Sequence, residues 1–462
     1  MSIKLIRHSI RRRDIATRMP FKYGIATMTD VPHLFVSVTL EIDGRAFTGQ
    51  SADHLPPKWF TKEPDTPLEQ EIADMERSVS MALDAAAGIE AESAFDCWWQ
   101  LYNRLMSPPG FPPLLQHFGI SLVERAVLDA VCRCEEAPLW QLVQDNLLGI
   151  NLGRLSPELR GLQPSDFLPP RPLESVNLRH TVGMADYLRV EDIPVEERLE
   201  DGLPQSLEAC ITTYGIREFK LKLSGVPGED LQRLRKVANV VGECAPADFR
   251  FSLDGNEQFS SAGQLREFSE QVYADSLLAG FFEHLIFIEQ PINRKVALSS
   301  EAQNVSTAWI RPVPIIIDES DGALEDFPRA LELGYAGVSH KNCKGVFKGI
   351  RNRCLIGLQQ QRNPEGNYLM TGEDLANIGP IALVQDLAVQ ALLGNRSVER
   401  NGHHYFRGLS MFPQEISQKV LQDHTDLFTE GPGNFAFLHV NKGCLLLDSA
   451  NAKAFGGALF RS

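Results

Sequence analysis

The sequence has no run of about 18 apolar residues, so no segment offers the length of a membrane-spanning helix. It also has no excess of positive charge. The formal net charge is −15, which argues against nucleic-acid and anionic-membrane partners, because those bind basic surfaces. A small anionic substrate is still compatible with this charge, provided that the positive pocket is local. We find no low-complexity tract and no internal repeat by identity.

The eight cysteines lack the paired spacing of a zinc site. Only Cys132 and Cys134 lie close together, and no second pair complements them. Buried free thiols in a reducing compartment are the preferred explanation, so we expect a cytoplasmic protein. Arginines near the start faintly suggest a transit peptide, but apolar Ile3 and Leu5 alternate with polar neighbours and favour a first β-strand.

Hydrophobic patterns divide the 462 residues into three regions. Residues 1–150 have strand patterns first and helical patterns from about residue 67, which predicts an N-terminal domain of both. Residues 175–412 alternate short apolar runs with helical stretches. This favours a parallel barrel over an open sheet, although alternation alone does not separate the two. Residues 413–462 contain a hairpin pattern, Phe435–Val440 and Cys444–Asp448, and are expected to return to the N-terminal domain.

Eight barrel strands are predicted, each followed by a connection long enough for a helix. They are Val176–Val182, Glu218–Leu223, Phe249–Asp254, Leu285–Glu289, Pro314–Asp318, Gly337–Lys341, Tyr368–Thr371 and His403–Phe406. The charged residues at the ends of the second to sixth strands recur at the roughly 30 residues that one strand and one crossover helix need, with a shorter last step. Barrel enzymes carry their chemistry at these strand ends.

Three acids, Asp254, Glu289 and Asp318, each close an apolar run. Burying an unpaired charge is costly, so three acids at neighbouring strand ends predict a cation, and oxygen ligands suit Mg²⁺. The alternative is that each acid only caps the next helix, which explains three successive cases poorly. Glu319 could replace Asp318 as a ligand, and Asn256 is a candidate supporting or substrate-binding residue.

Lys220 and Lys222 are separated by one residue, so both side chains point to one face of a strand. Phe219 and Leu221 take the other face, which places the lysines at the barrel mouth. Two adjacent ammonium groups near a dication are expected to depress at least one lysine pKa, so that a neutral lysine acts as general base. The alternative is a solvated lysine pair on an exposed edge.

Lys341 ends its own strand, four strands after that of Lys222, and could reach the other face of a substrate. Lys344 competes for this role, but the strand should end before it. His340 alternates with Lys341 and is expected to point away from the site.

Glu373, at the seventh strand end, is a candidate for binding substrate or orienting a lysine. Its neighbour Asp374 is predicted to cap a helix over Leu375–Leu393. Gly408-Leu409-Ser410, after the predicted eighth strand, is a weaker candidate for backbone donors.

Together these segments resemble the enolase superfamily, in the mandelate racemase and muconate lactonizing enzyme family. The resemblance rests on Lys220-x-Lys222, Asp254-Gly255-Asn256, Glu289-Gln290-Pro291, Asp318-Glu319-Ser320 and the strand of Lys341, and extends more loosely to Pro20–Gly24, Glu124–Ala130 and Ala137–Leu142. It implies an α/β fold: a modified (β/α)7β TIM-type barrel with an N-terminal α+β capping domain. Cap loops over Phe21–Thr29, including Phe21 and Tyr23, and over Ser51–Trp59 would close on the substrate.

The resemblance also implies a reaction. Mg²⁺ on Asp254, Glu289 and Asp318 would bind a substrate carboxylate, Lys222 or Lys341 would remove the α-proton, and Lys220 would help to hold the enediolate. This lysine-and-magnesium pattern is the known one for the superfamily. Racemisation or epimerisation, cycloisomerisation and elimination are all open.

A lysine on each side is similar to the muconate-cycloisomerase-like, succinylbenzoate-synthase-like and dipeptide-epimerase branch. The predicted eighth strand lacks the Asp-x-Asp of dipeptide epimerases, which argues against that reaction. Extra residues near 100–120, 150–175 and 187–206 could remodel the pocket or an oligomer contact, and a homo-oligomer is expected. The alternatives from other classes are a non-catalytic metal-binding barrel that serves binding or assembly, and a barrel hydrolase or aldolase.

Overall fold

The structure is a computed structural model that describes residues 1–452 and 454–458. Its N-terminal part is an antiparallel sheet with helices packed against it. Across the sheet, in the order β3-β2-β1-β4, the strands are β1 (Ile3–Tyr23), β2 (Ala26–Ile42), β3 (Arg45–His54) and β4 (Glu90–Ala91). The helices are α1 (Leu68–Ala86), α2 (Ala94–Met106), α3 (Pro113–Cys134), α4 (Leu139–Gln144) and α5 (Leu152–Leu155).

Helix α3 is the central helix of this part and is buried along nearly its whole length. It packs directly on β3 because Gly49 has no side chain there. A Cβ atom on Gly49 would lie 2.1 Å from the carbonyl oxygen of Ala126. The first strand that the sequence predicts is present, since Ile3 and Leu5 of β1 are buried between exposed neighbours.

Eight parallel strands form a closed barrel, in which β12 pairs with β5. They are β5 (Ser175–Val182), β6 (Glu218–Lys222), β7 (Arg250–Asp254), β8 (Leu285–Glu289), β9 (Ile315–Ile317), β10 (Gly337–His340), β11 (Leu369–Gly372) and β12 (Ser397–Arg400). The helices around and between them are α6 (Leu207–Tyr214), α7 (Pro227–Cys244), α8 (Ala262–Ala274), α9 (Ser276–Phe281), α10 (Arg294–Ala297), α11 (Asp326–Glu332), α12 (Val346–Arg362), α13 (Ile381–Leu393) and α14 (Gly402–Tyr405). The predicted barrel with an N-terminal α+β part is confirmed.

The predicted eighth strand at His403–Phe406 is wrong. Helix α13 ends at Gly394, whose φ of 75° is left-handed, and the chain then enters β12 at Ser397. Residues 402–405 form the short helix α14 instead. The predicted helix ends correctly at Leu393, but the four-residue strand after it carries Glu399 and Arg400 and has no apolar run to mark it.

The predicted helix over Leu375–Leu393 begins only at Ile381. The Asp374 carboxylate does accept backbone hydrogen bonds, from Ala376 (2.9 Å) and Asn377 (3.1 Å), but they close a turn and not a helix. Ala376 has a φ of 58°, outside the helical region, so the chain cannot continue as a helix from there.

The C-terminal segment contains α15 (Gln414–Asp423), β13 (Phe428–Gly431), β14 (Phe435–Leu438) and β15 (Cys444–Leu446). Of the predicted hairpin only the turn is present, as one antiparallel bridge between Asn441 and Cys444. Its two strands do not pair with each other, because β14 pairs with β13 whereas β15 pairs antiparallel with β5 of the barrel. The segment also contacts the N-terminal helices: Trp140 donates to the Asn451 carbonyl (3.2 Å) and Arg133 to that of Gly457 (2.7 Å). The division at 1–150, 175–412 and 413–462 stays a prediction, and residues 453 and 459–462 lie outside the described residues.

All eight cysteines are free, and five of them are buried. Across residues 1–452 and 454–458, no helix combines the length and the apolar character needed to cross a membrane.

Candidate active site

A cavity at the carboxyl ends of the barrel strands holds most of the predicted site residues. The register of the parallel sheet aligns Lys222 with Asp254 and Asp254 with Glu289 on three neighbouring strands. Asp318 follows β9 directly, and Lys341 follows β10 directly. Each side chain therefore lies at the end of a buried strand, the position that carries the chemistry in barrel enzymes.

Glu289, Asp318 and Glu373 form the acidic centre of the site. One carboxylate oxygen from each lies within 4.8 Å of the other two, and all three residues are buried. Two of the three predicted metal ligands thus converge, with Glu373 beside them. The third, Asp254, reaches the cluster through Lys220, whose Nζ is 3.1 Å from Asp254 Oδ2 and 2.8 Å from Glu289 Oε2.

The donor set fits a hard divalent cation such as Mg²⁺. Both oxygens of Glu289 are buried and, among the described residues, have no hydrogen-bond partner of good geometry, although Lys220 lies near one of them. Burial raises the pKa of Glu289 well above its ordinary value, and the neighbouring Glu373 carboxylate raises it further. Lys220 supplies one nearby positive charge, and a divalent cation would supply the direct contacts that the buried Glu289 oxygens lack.

Lys220 is surrounded by carboxylates on four sides. In addition to Asp254 and Glu289, its Nζ lies 2.8 Å from Glu373 Oε2 and 2.9 Å from Glu399 Oε2. Burial lowers the pKa of Lys220, but these acids together raise it well above the ordinary value. The ammonium group is the electrostatic link among strand ends that would otherwise repel one another.

Lys222 and Lys341 approach the acids from different sides. Lys222 donates to Asp254 Oδ2 (2.9 Å) and contacts Asn256 Oδ1 (3.3 Å). Lys341 donates to Asp318 Oδ2 (2.7 Å) and Glu373 Oε2 (2.6 Å). Burial acts to lower the pKa of both lysines, but their carboxylate partners outweigh it and raise it. The predicted depression of a lysine pKa also involved a nearby dication and stays a prediction. The acids alone act in the opposite direction, because the ammonium groups face several acids and not mainly each other.

Lys344, the competitor of Lys341, also reaches the cluster. Its Nζ donates to Asp318 Oδ1 (2.7 Å) and to the Ser339 carbonyl (2.9 Å), so Asp318 is held from two sides. His340 packs outside the cavity, where its ring lies against Gly349 of α12. Only Lys341 of the two lysines lines the cavity.

Two functional candidates escaped the sequence analysis. Glu399 on β12 accepts from Lys220 and from Thr181. Arg179 on β5 is fully buried and pairs with Glu373 Oε1 at 3.0 Å. The alternation Ser397-Val398-Glu399-Arg400 after Gly394 would have revealed Glu399, and Arg179-x-Thr181 carries two polar residues on one strand face.

The true position of the eighth strand also changes which residues are candidates to bind an ammonium group of a substrate. The end of β12 carries Glu399-Arg400-Asn401, an acid and an amide two residues apart, in place of Gly408-Leu409-Ser410. This is still not an Asp-x-Asp pair. Both Glu399 and Asn401 line the cavity.

Aromatic residues of the N-terminal part cover the cavity. Phe21 stacks on Tyr405 with ring centroids 4.1 Å apart, and the Tyr23 hydroxyl donates to the Pro57 carbonyl (2.8 Å). Trp59 lies 5.2 Å from Lys341 Nζ, measured to the ring centroid. The predicted loop over Phe21–Thr29 is instead a hairpin, in which the paired ends of β1 and β2 are joined by Gly24 and Ile25.

Glu257 connects the covering segment of the N-terminal part, residues 57–62, to the barrel. It pairs with Arg294 (2.7 Å) and Lys62 (3.1 Å), and Arg294 also donates to the carbonyls of Phe60 and Trp59. Glu319 lies inside the cavity, where burial raises its pKa to about 8, and its Oε2 has no hydrogen-bond partner among the described residues.

Comparison with known proteins supports the fold. The family model described as Enolase C-terminal domain-like matches residues 203–347. None of the curated proteins compared with the chain matches it in sequence. A dipeptide epimerase from Enterococcus faecalis, complexed with Mg and the dipeptide L-Leu-L-Tyr, is similar with a TM-score of 0.63 and 15% identity, over 99% of this chain and 100% of that one.

Two further solved structures have the same fold. A muconate lactonizing enzyme from Pseudomonas fluorescens, complexed with muconolactone, gives a TM-score of 0.59 and 16% identity, over 99% of this chain and 97% of that one. An enolase from Bradyrhizobium, complexed with magnesium and mandelic acid, gives 0.57 and 14%, over 97% and 98%. The chain therefore shares its whole architecture with these structures, and its barrel segment 203–347 matches the Enolase C-terminal domain-like family.

Proposed function

We propose that this chain is a Mg²⁺-dependent enzyme that removes the proton α to a substrate carboxylate. The observation that carries the proposal is the placement of Lys222 and Lys341. They meet one buried acidic cluster from different sides, the first through Asp254 and the second through Asp318. One base is enough to remove the α-proton, and a base on each side of a bound acid also allows a proton to return on the opposite face.

Glu289 and Asp318, together with Asp254 or Glu373, would hold the ion. When bound, Mg²⁺ supplies positive charge that stabilises the negative charge developing on the substrate carboxylate, an effect of several kcal/mol. Lys220, buried among the same acids, would donate a hydrogen bond to the enediolate oxygen. Asn256 would position Lys222, whose ammonium group it contacts.

The two lysines define the possible outcomes. If Lys222 removes the proton and Lys341 returns one to the opposite face, the product is the racemised or epimerised acid. If Lys222 alone acts, elimination or cycloisomerisation follows from the same enediolate. The three similar structures carry muconolactone, a dipeptide and mandelic acid, which supports a small carboxylate substrate. At 14–16% identity they share a fold, and fold alone does not give the substrate.

Exchange of the α-proton in D₂O tests the proposal, because it reports the half-reaction that all three outcomes share. The full-length protein with Mg²⁺ is incubated with a library of carboxylic acids, and deuterium incorporation is measured by NMR and mass spectrometry. We expect at least one acid to exchange.

In the variants Lys222→Ala and Lys341→Ala, the rate of α-proton exchange should fall roughly 100-fold or more on the substrate face where the replaced lysine acts as base. Lys419→Ala, which removes an exposed lysine on α15, is the matched control and should not change it. Full exchange in both site variants would contradict the assigned roles. Calorimetric Mg²⁺ binding with no exchange from any acid would instead favour a non-catalytic barrel.

A further inference from the structure

A second group of metal-ligating side chains lies apart from the acidic site. His180, Cys210 and His404 are all buried, and one ligand atom from each lies within 4.8 Å of the other two. Cys210 Sγ is 3.4 Å from His404 Nδ1. None of these residues lines the cavity of the candidate active site.

The three residues converge at the barrel seam, which is where β12 pairs with β5 and closes the barrel. His180 is on β5, directly after Arg179, and successive strand residues point to opposite faces. Arg179 faces inward to Glu373, so His180 faces outward. Cys210 is on α6, the helix that follows β5, and His404 is on α14, which follows β12. The pairing of β12 with β5 brings these elements together.

The distances match those of a tetrahedral site. With Zn–S near 2.3 Å and Zn–N near 2.0–2.1 Å, a sulfur and a nitrogen ligand lie about 3.5 Å apart. The observed 3.4 Å between Cys210 Sγ and His404 Nδ1 is close to this sulfur–nitrogen distance. His403 Nε2 lies 3.2 Å from His180 Nδ1, and such a contact orients the imidazole of a ligating histidine.

A cavity next to the group offers an approach for an ion. It is apolar, has a volume of about 190 Å³ and is lined by His403, which contacts His180.

We propose that His180, Cys210 and His404 bind one thiophilic divalent cation of the Zn²⁺ type, with water as the fourth ligand. The cysteine thiol loses its proton to solvent as the sulfur–metal bond forms, so one proton is released for each ion and no redox change occurs. The ion would join β5, α6 and α14 across the barrel seam. It is independent of the proposed α-proton chemistry.

Titration with Cd²⁺ tests the site in the full-length protein, with excess Mg²⁺ present to saturate the acidic cluster. We expect one equivalent to bind with a thiolate-to-metal absorption band in the ultraviolet and the release of one proton. Cys210→Ser should abolish the band. Both Cys210→Ser and His404→Gln should weaken Cd²⁺ binding by more than about 100-fold, because the loss of a residue that only supports a metal ligand already lowers metal affinity about 10–100-fold. Cys244→Ser, a half-buried thiol on α7, is the control and should leave the band unchanged.

X-ray absorption of the Zn²⁺-loaded, unmutated protein keeps the test independent of variant folding. One sulfur and two imidazole nitrogens around zinc would support the site. A zinc shell of oxygen ligands only, or a Cd²⁺ band that survives in Cys210→Ser, would overturn it.

Discussion

The carboxyl group of Glu124 joins the N-terminal part to the barrel, and burial makes its charged form costly. It lies in α3, and its carboxylate accepts from the backbone N–H groups of Phe347 (2.7 Å) and Val346 (3.1 Å) at the start of α12. Burial raises the pKa of Glu124 to about 8, although the two N–H groups and Arg125 act in the opposite direction. The folded protein therefore holds a proton here that the unfolded chain releases near pH 4.5.

The sign of the pH effect follows from this difference. Between about pH 4.5 and pH 8 the folded state binds more protons at Glu124 than the unfolded state does. The free energy of unfolding therefore falls as the pH rises through this window. The stabilisation is fully present below pH 4.5 and is lost through the folded-state pKa of about 8. A pKa change from 4.5 to about 8 corresponds to about 5 kcal/mol.

Glu124→Gln tests this reasoning. The amide keeps the shape and one acceptor oxygen of the protonated acid, so we expect the variant to be within about 1–3 kcal/mol of the parent at pH 5. At pH 8 and above the variant should be the more stable protein, because only the parent carries a charge at this buried position. Urea unfolding at pH 5, 6, 7 and 8 measures the difference between the two. Glu135→Gln, at the exposed end of the same helix, is the control, and its free energy of unfolding should change with pH in the same way as that of the parent. If Glu124→Gln also runs parallel to the parent, the assigned titration of Glu124 is wrong.

Three further predictions concern the site and its cover. Chelation with EDTA should abolish α-proton exchange, and added Mg²⁺ should restore it; persistence of exchange in EDTA would contradict the metal assignment. Glu399→Gln should reduce exchange by about 10–100-fold, because it removes a charge that holds Lys220, whereas the exposed Glu430→Gln should not. Glu257→Gln should increase proteolytic cleavage within residues 57–62 roughly tenfold, equivalent to about 1.4 kcal/mol lost from closure, since it weakens the pairs with Arg294 and Lys62. Unchanged cleavage would show that these ion pairs do not hold the cover.

Much of the barrel could be predicted because strand ends carry local signals. Asp254, Glu289 and Asp318 each follow a short apolar run, and their spacing matches one strand and one helix. The same reasoning failed for β12, where a helix ending at Gly394 led into a strand of only four residues. A short strand with two charged residues, Glu399 and Arg400, has no apolar run to mark it. Its pairing with β5 is a long-range contact that no local pattern contains.

The charge state of the lysines could not be predicted for a related reason. The sequence shows that Lys220 and Lys222 share a strand face, which predicts mutual repulsion. It does not show that Glu373 and Glu399, more than 150 residues later, contact the same ammonium group. The sum of charges around a buried group depends on all the strands that meet there. One strand read alone therefore misses the carboxylates that raise the lysine pKa.

The cover and the barrel depend on each other through contacts of the same long-range kind. Lys341 lies beneath the Trp59 ring, and Arg294 holds the backbone carbonyl of Trp59. Trp59 belongs to the N-terminal part, whereas Lys341 and Arg294 belong to the barrel. A displacement of this segment would uncover Lys341 on one side and loosen Arg294 on the other. Because ionic contacts strengthen when water is excluded, closure of the cover and the electrostatics of the acidic cluster are one coupled property of the fold.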